Sequence, residues 1–132
     1  MTTDKQSKLK NDDRVDIKQA VAAYAQSEKV KSGLIWISQI SEQVAAMEGP
    51  GRQPAMGLLK TLAHMVADEV DLTARVTRDQ GWRKISEKIH LALVMINSGV
   101  PQETGFHLTR AISHVTRIGG QAARLLQRRG FF

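Results

Sequence analysis

Cysteine is absent from the chain, which excludes disulfides, thiolate zinc sites and cysteine nucleophiles and leaves histidine and carboxylates as the only strong metal ligands. Aromatic residues make up 5% and prolines number three, too little ring and turn chemistry for a β-sandwich. No run approaches the ~20 apolar residues that a membrane span requires. The segment Met1–Lys10 carries charges and no apolar run and reads as neither a signal peptide nor an anchor, so the expectation is a cytoplasmic protein without a membrane span. Acidic residues are missing from the whole of 104–132, where five arginines stand.

What is present fits a single domain. A chain of 132 residues can bury roughly two thirds of its unfolded surface, and 42% hydrophobic residues supply an ordinary core. The net charge of +6 is concentrated in that acid-free stretch, a bias that favours anionic partners but is equally common on solvated helix faces.

Hydrophobic periodicity is helical from end to end. Residues 1–11 are polar and read as a flexible segment; Asn11-Asp12-Asp13 supplies cap-forming side chains, and residues 12–132 form one helical domain. Ile17, Val21 and Tyr24 make one stripe, and Val30, Leu34, Ile37, Val44 and Met47 make another, offset near Ser32-Gly33. The segment is therefore either one kinked helix or two. Gly49-Pro50-Gly51 ends it, and Pro54 suits the first turn of a helix that runs to Arg78. There Leu58, Leu59, Leu62, Val66, Val70 and Val76 are expected to turn inward. After Asp79-Gln80-Gly81, a third pattern follows Trp82, Ile85, Ile89, Ala92 and Ile96 to Asn97-Ser98-Gly99. The last runs from Pro101 to Arg129. The expected fold is all-α, an antiparallel bundle of four or five helices.

That last helix divides most cleanly. His107, Arg110, His114, Arg117, Gln121, Arg124 and Arg128 recur at spacings of three and four and share one arc. Gly105, Leu108, Ile112, Val115, Gly119, Ala122 and Leu126 share the opposite one. The histidines and arginines are candidate anion or nucleic-acid contacts, because guanidinium forks match phosphate geometry. Gly105 and Gly119 are candidate helix-packing positions, since glycine inside a helix costs up to ~1 kcal/mol relative to alanine and invites a packing reason.

Catalytic chemistry is poorly represented. Glu87 and His90 have the i, i+3 spacing of carboxylate-bridged di-metal bundles, but the motif occurs once and beside the polar face, so no metal is assigned. No Gly-rich loop carries the lysine and hydroxyl of a nucleotide-binding turn, and no Ser/His/Asp grouping is evident. No cofactor and no catalytic residue are expected, and the chain does not read as an enzyme.

Val115-Thr116-Arg117-Ile118-Gly119-Gly120-Gln121-Ala122-Ala123-Arg124-Leu125 resembles the helix of the PhoU family that reads L-E-R-I-G-D-H-A-x-N-I, with Arg117-Ile118-Gly119 and Ala122 as identities. The family builds three-helix bundle repeats that regulate phosphate uptake. Its metal-binding carboxylates would fall at Thr116 and Gly120, where this chain has none. The resemblance therefore implies a helical bundle with an adaptor or regulatory role and no metal cluster.

These observations favour a non-catalytic helical interaction or regulatory module, self-associating or bound to another helical protein through glycine-lined and exposed apolar surfaces such as Phe131-Phe132. A nucleic-acid-binding protein using the basic helix is the second reading. A metal-dependent bundle enzyme resting on Glu87 and His90 is the third.

Overall fold

The computed structural model describes the backbone of residues 2–77 and 79–132, and the side chains from Arg14 onward except Arg78. The helix start expected at Asn11-Asp12-Asp13 is corrected, because the backbone is already helical from Thr2 through these residues. The flexibility expected of 1–11, the side-chain cap expected at 11–13 and the outward placement of Arg78 concern side chains outside the described residues. Four α-helices follow one another: α1 (Thr2–Ala46), α2 (Arg52–Thr77), α3 (Gln80–Asn97) and α4 (Gly105–Arg128), with a 3-10 turn at Pro101–Glu103 before α4. No strand occurs among the described residues. Short connections force each helix to run back along its predecessor. α1 packs on α2 and α4, and α3 closes the ring between them, giving an up-down-up-down bundle.

The segment left open by its two stripes is a single helix. Gly33 does not break α1; it is buried where α1 meets α2, and a Cβ built there would lie 2.8 Å from Val66 Cγ2. The offset between the stripes arises because successive parts of α1 face different neighbours. Val30, Leu34, Ile37 and Val44 enter the main core with Leu59, Val70, Trp82, Ile85, Ile89, Ile96, Leu108 and Val115. Nearer the N-terminus Ala20 joins Ala122 and Leu126 of α4 in a second cluster, flanked by Ile17 and Tyr24.

Helix ends are closed by identifiable chemistry. α1 has no basic residue in its last turn. Its terminal carbonyls are instead capped from α2: the Arg52 guanidinium donates to the oxygens of Val44, Ala45 and Met47 at 3.2–3.3 Å. Asp79 caps α3, accepting the Gly81 amide at 2.7 Å. Gly99 and Gly130 adopt positive φ, and the following Val100 and Phe131 amides reach back to Met95 and Leu126, which is the Schellman closure. The turn at Gly130 brings Phe132 onto Tyr24 of α1, ring centroids 5.7 Å apart.

Three inward assignments are corrected. Leu58 and Val76 are each 73% exposed, and Val21 is exposed as well. The buried line of α2 follows Met56, Leu59, Ala63, Ala67 and Val70, with Leu58 and Val76 about 140° around the helix from it. Alanines at 63 and 67 let neighbouring helices close in, so the apolar residues of the broader stripe are not all needed inside. In α1, Ala20 rather than Val21 meets α4 for the same reason. The final helix also begins later than Pro101, which opens the 3-10 turn instead, and Thr104 Oγ1 donates to the Pro101 carbonyl at 2.8 Å before α4 starts at Gly105.

Candidate functional site

The two arcs of α4 are real. Leu108, Val115, Gly119, Ala122 and Leu126 are buried, while Arg110, Arg117, Gln121, Arg124 and Arg128 are exposed and His107 and His114 half-buried. Gly119 is an interior packing position: a Cβ there would meet Ser27 Cβ at 3.1 Å, so α1 and α4 approach through paired small residues. Gly105 is not. It is exposed, with nothing within 4 Å of a built Cβ, because it is the first residue of α4, where the chain has just left the 3-10 turn and has no helix beside it.

The structure adds to the basic arc two residues that lie elsewhere in sequence. Lys84 and Lys88 of α3, together with Arg110 and Arg117 of α4, act electrostatically on the His114 ring. Burial is the first cause holding the His114 pKa below the ordinary histidine range, and the repulsion from these four cations adds to it. α3 and α4 are held in this register by Gly81, whose Cβ position is 3.0 Å from Ile118. None of Lys84, Lys88, Arg110, Arg117, Arg124 and Arg128 is ion-paired with an acid among the described residues. At one end of the row Arg110 stands 4.8 Å over the Phe106 ring, which also packs edge-on to His107. The sequence signal for the lysines was their i, i+4 spacing beside the α3 core stripe, but only the packing of α3 on α4 shows which side of the bundle they join.

Because the His114 pKa is lowered on folding, the unfolded chain binds more protons at this position than the native one, so its linkage makes stability fall with acidity. The penalty is absent well above the ordinary histidine value and grows as pH drops through it toward the lowered one. A His114→Gln variant is therefore expected to lose less melting temperature than the parent between neutral pH and about pH 5. Equal losses in a thermal melt series would show that His114 titrates as in the unfolded chain.

The other titratable cluster sits between α2 and α3. Asp71 accepts the Ser86 hydroxyl at 2.6 Å and contacts His90 Nε2 at 2.9 Å. Serine and histidine both bond the carboxylate and not each other, so the histidine is not placed to take the serine proton, the step that would make a nucleophile. Glu87 lies exposed outside this cluster. Among the described residues no three His, Asp or Glu side chains converge as ligands for a metal ion. No helix is long and apolar enough to cross a membrane, again among the described residues.

A second distinctive surface lies on the α1/α2 side. Leu58, Met65, Leu72 and Val76 form one exposed line along α2, and Trp36 of α1 is 56% exposed on the same side. Polar groups join the two helices here: Gln26 and Lys29 donate to Glu69 Oε1 at 2.9 and 3.0 Å, lowering the pKa of that carboxyl, and Gln26 also donates to Thr73 Oγ1 at 2.8 Å. Beyond this strap Leu72 and Val76 flank a groove of about 640 Å³ between α1 and α2.

Compared with known protein families, curated proteins and solved structures, the chain matches none.

Proposed function

We propose that the protein is a non-catalytic helical interaction module that associates with a second copy of itself through the α1/α2 face. The observation that carries this reading is the line of Leu58, Met65, Leu72 and Val76 beside Trp36, large apolar side chains half or more exposed along one side of a four-helix bundle. Scattered exposed apolar residues need no explanation, but a contiguous set on adjacent helices marks a surface that is covered. Electrostatics favours a second copy at this face. Its central charges, Lys29 and Glu69, neutralise one another, whereas the α3/α4 side carries unpaired cations that repel a like surface. A regulatory or adaptor role fits the same reading, since binding through preformed helix faces requires no reaction centre.

Light scattering on Met65→Glu and Leu58→Glu variants tests it. Both positions are exposed, so the variants are expected to melt like the parent while a parental dimer becomes a monomer. A parent that is monomeric at concentrations up to ~100 μM, where even weak homodimers of Kd ~10⁻⁵ M form, would rule out self-association.

A further inference from the structure

A second surface points to a different partner. We infer that the α3/α4 face is a binding surface for duplex nucleic acid, held through its phosphates by Lys84, Lys88, Arg110, Arg117, Arg124 and Arg128.

Four observations support this. First, the cations are collected from two helices onto one side and left without acidic partners, although acids are available elsewhere on the same helices' neighbours, such as Glu69 and Asp71, where they are paired. Like charges so gathered repel one another, and a bound polyanion offsets that repulsion. Second, the row is long and straight. From His107 to Arg128 it spans about 32 Å of helix, close to the 34–36 Å of one duplex turn, and its members step along the axis by about 4.5–6 Å. A small anion would need a concave cluster instead; this is a track for a polymer. Third, the exposed aromatic adjoining the row, Phe106, already has Arg110 over its ring, so the surface lacks the platform of stacking rings with which proteins hold single strands. Phosphates presented at fixed spacing on a duplex are the better match. Fourth, His114 lies among Lys84, Lys88, Arg110 and Arg117, whose repulsion adds to burial in lowering its pKa. A phosphate seated between the α3 lysines and the α4 arginines offsets that repulsion, so binding favours the protonated His114 ring and couples affinity to pH.

Surface and partner are independent of self-association through α1/α2. The two faces lie on opposite sides of the bundle, so a paired copy leaves both basic rows open.

Fluorescence anisotropy with an arbitrary-sequence duplex of about 20 base pairs, roughly two turns, and with one of its strands tests the inference. Duplex binding is expected in the 10⁻⁶ M range near physiological salt, with a log–log salt slope of about −5 for six phosphate contacts. The combined Arg110, Arg117, Arg124 and Arg128→Ala variant should bring that slope to about −2. A Lys84→Glu, Lys88→Glu variant relieves like-charge repulsion, so it is expected to melt no lower than the parent yet to lose at least about tenfold in affinity; this separates lost contacts from lost structure. Binding should tighten from pH 7.5 to pH 6, and His114→Gln should remove that dependence. Absence of duplex binding at low salt, affinity unchanged in the arginine variant, or preference for the single strand would each overturn the proposal. So would retention by an acidic protein column with no duplex binding, since that identifies a protein partner for the same charges.

Discussion

Trp82→Ala is expected to cost about 3–5 kcal/mol, a large part of the ~5–15 kcal/mol that holds a domain of this size together. Trp82 is among the largest fully buried side chains and sits in the first turn of α3, within the main core. Its neighbours cannot collapse into the space, because they belong to helices whose separation is set by many other contacts along their length. The cost therefore combines lost burial with a cavity. Denaturant titration followed by helical circular dichroism measures it, with a Trp36→Phe protein as a reference in which Trp82 alone reports. A loss below about 1 kcal/mol would mean that the indole contributes little to packing.

The second large effect is expected where α1 is pressed from two sides. At Gly33 an added Cβ falls 2.8 Å from Val66 Cγ2, and at Gly119 it falls 3.1 Å from Ser27 Cβ. Gly33→Leu and Gly119→Leu should each destabilise by about 1–3 kcal/mol or shift the helices apart, which would appear as a lowered melting temperature. Smaller changes separate the two sites. Ser27 needs to yield by only a few tenths of an ångström, so Gly119→Ala gains helix propensity of up to about 1 kcal/mol against a mild clash and is expected to be close to neutral. Val66 is β-branched and stiff, so Gly33→Ala is expected to destabilise, and Val66→Ala added to it should cost less than the two singles summed. Simple additivity at Gly33 and Val66 would show that the close approach is relaxed at no cost.

Such contacts show how far the amino-acid order alone reaches. The all-α class, the turns at Gly49-Pro50-Gly51 and Asn97-Ser98-Gly99, the core stripe of α3 and both arcs of α4 follow from local rules: helical period, glycine and proline at chain reversals, and Asp79 at a helix start. Gly105 and Gly119 share the apolar arc, yet only Gly119 has a neighbour against it, Ser27, so the arc alone could not tell the packing position from the exposed one. Residue order could not tell whether Gly33 marks a break or a contact, since a glycine looks the same in either role until a neighbour such as Val66 lies against it. Nor could it separate Leu59, which is buried, from Leu58, which is not, because the buried width of a helix depends on how closely other helices approach, and here Ala63 and Ala67 set that distance. The basic row was legible on α4 because one helix carries it. Its extension through Lys84 and Lys88, and the apolar line that unites Trp36 of α1 with Met65 of α2, join residues from different helices. Only the packing of those helices in the bundle decides such neighbours, since a helix's own period relates residues within it and says nothing of what lies across the seam.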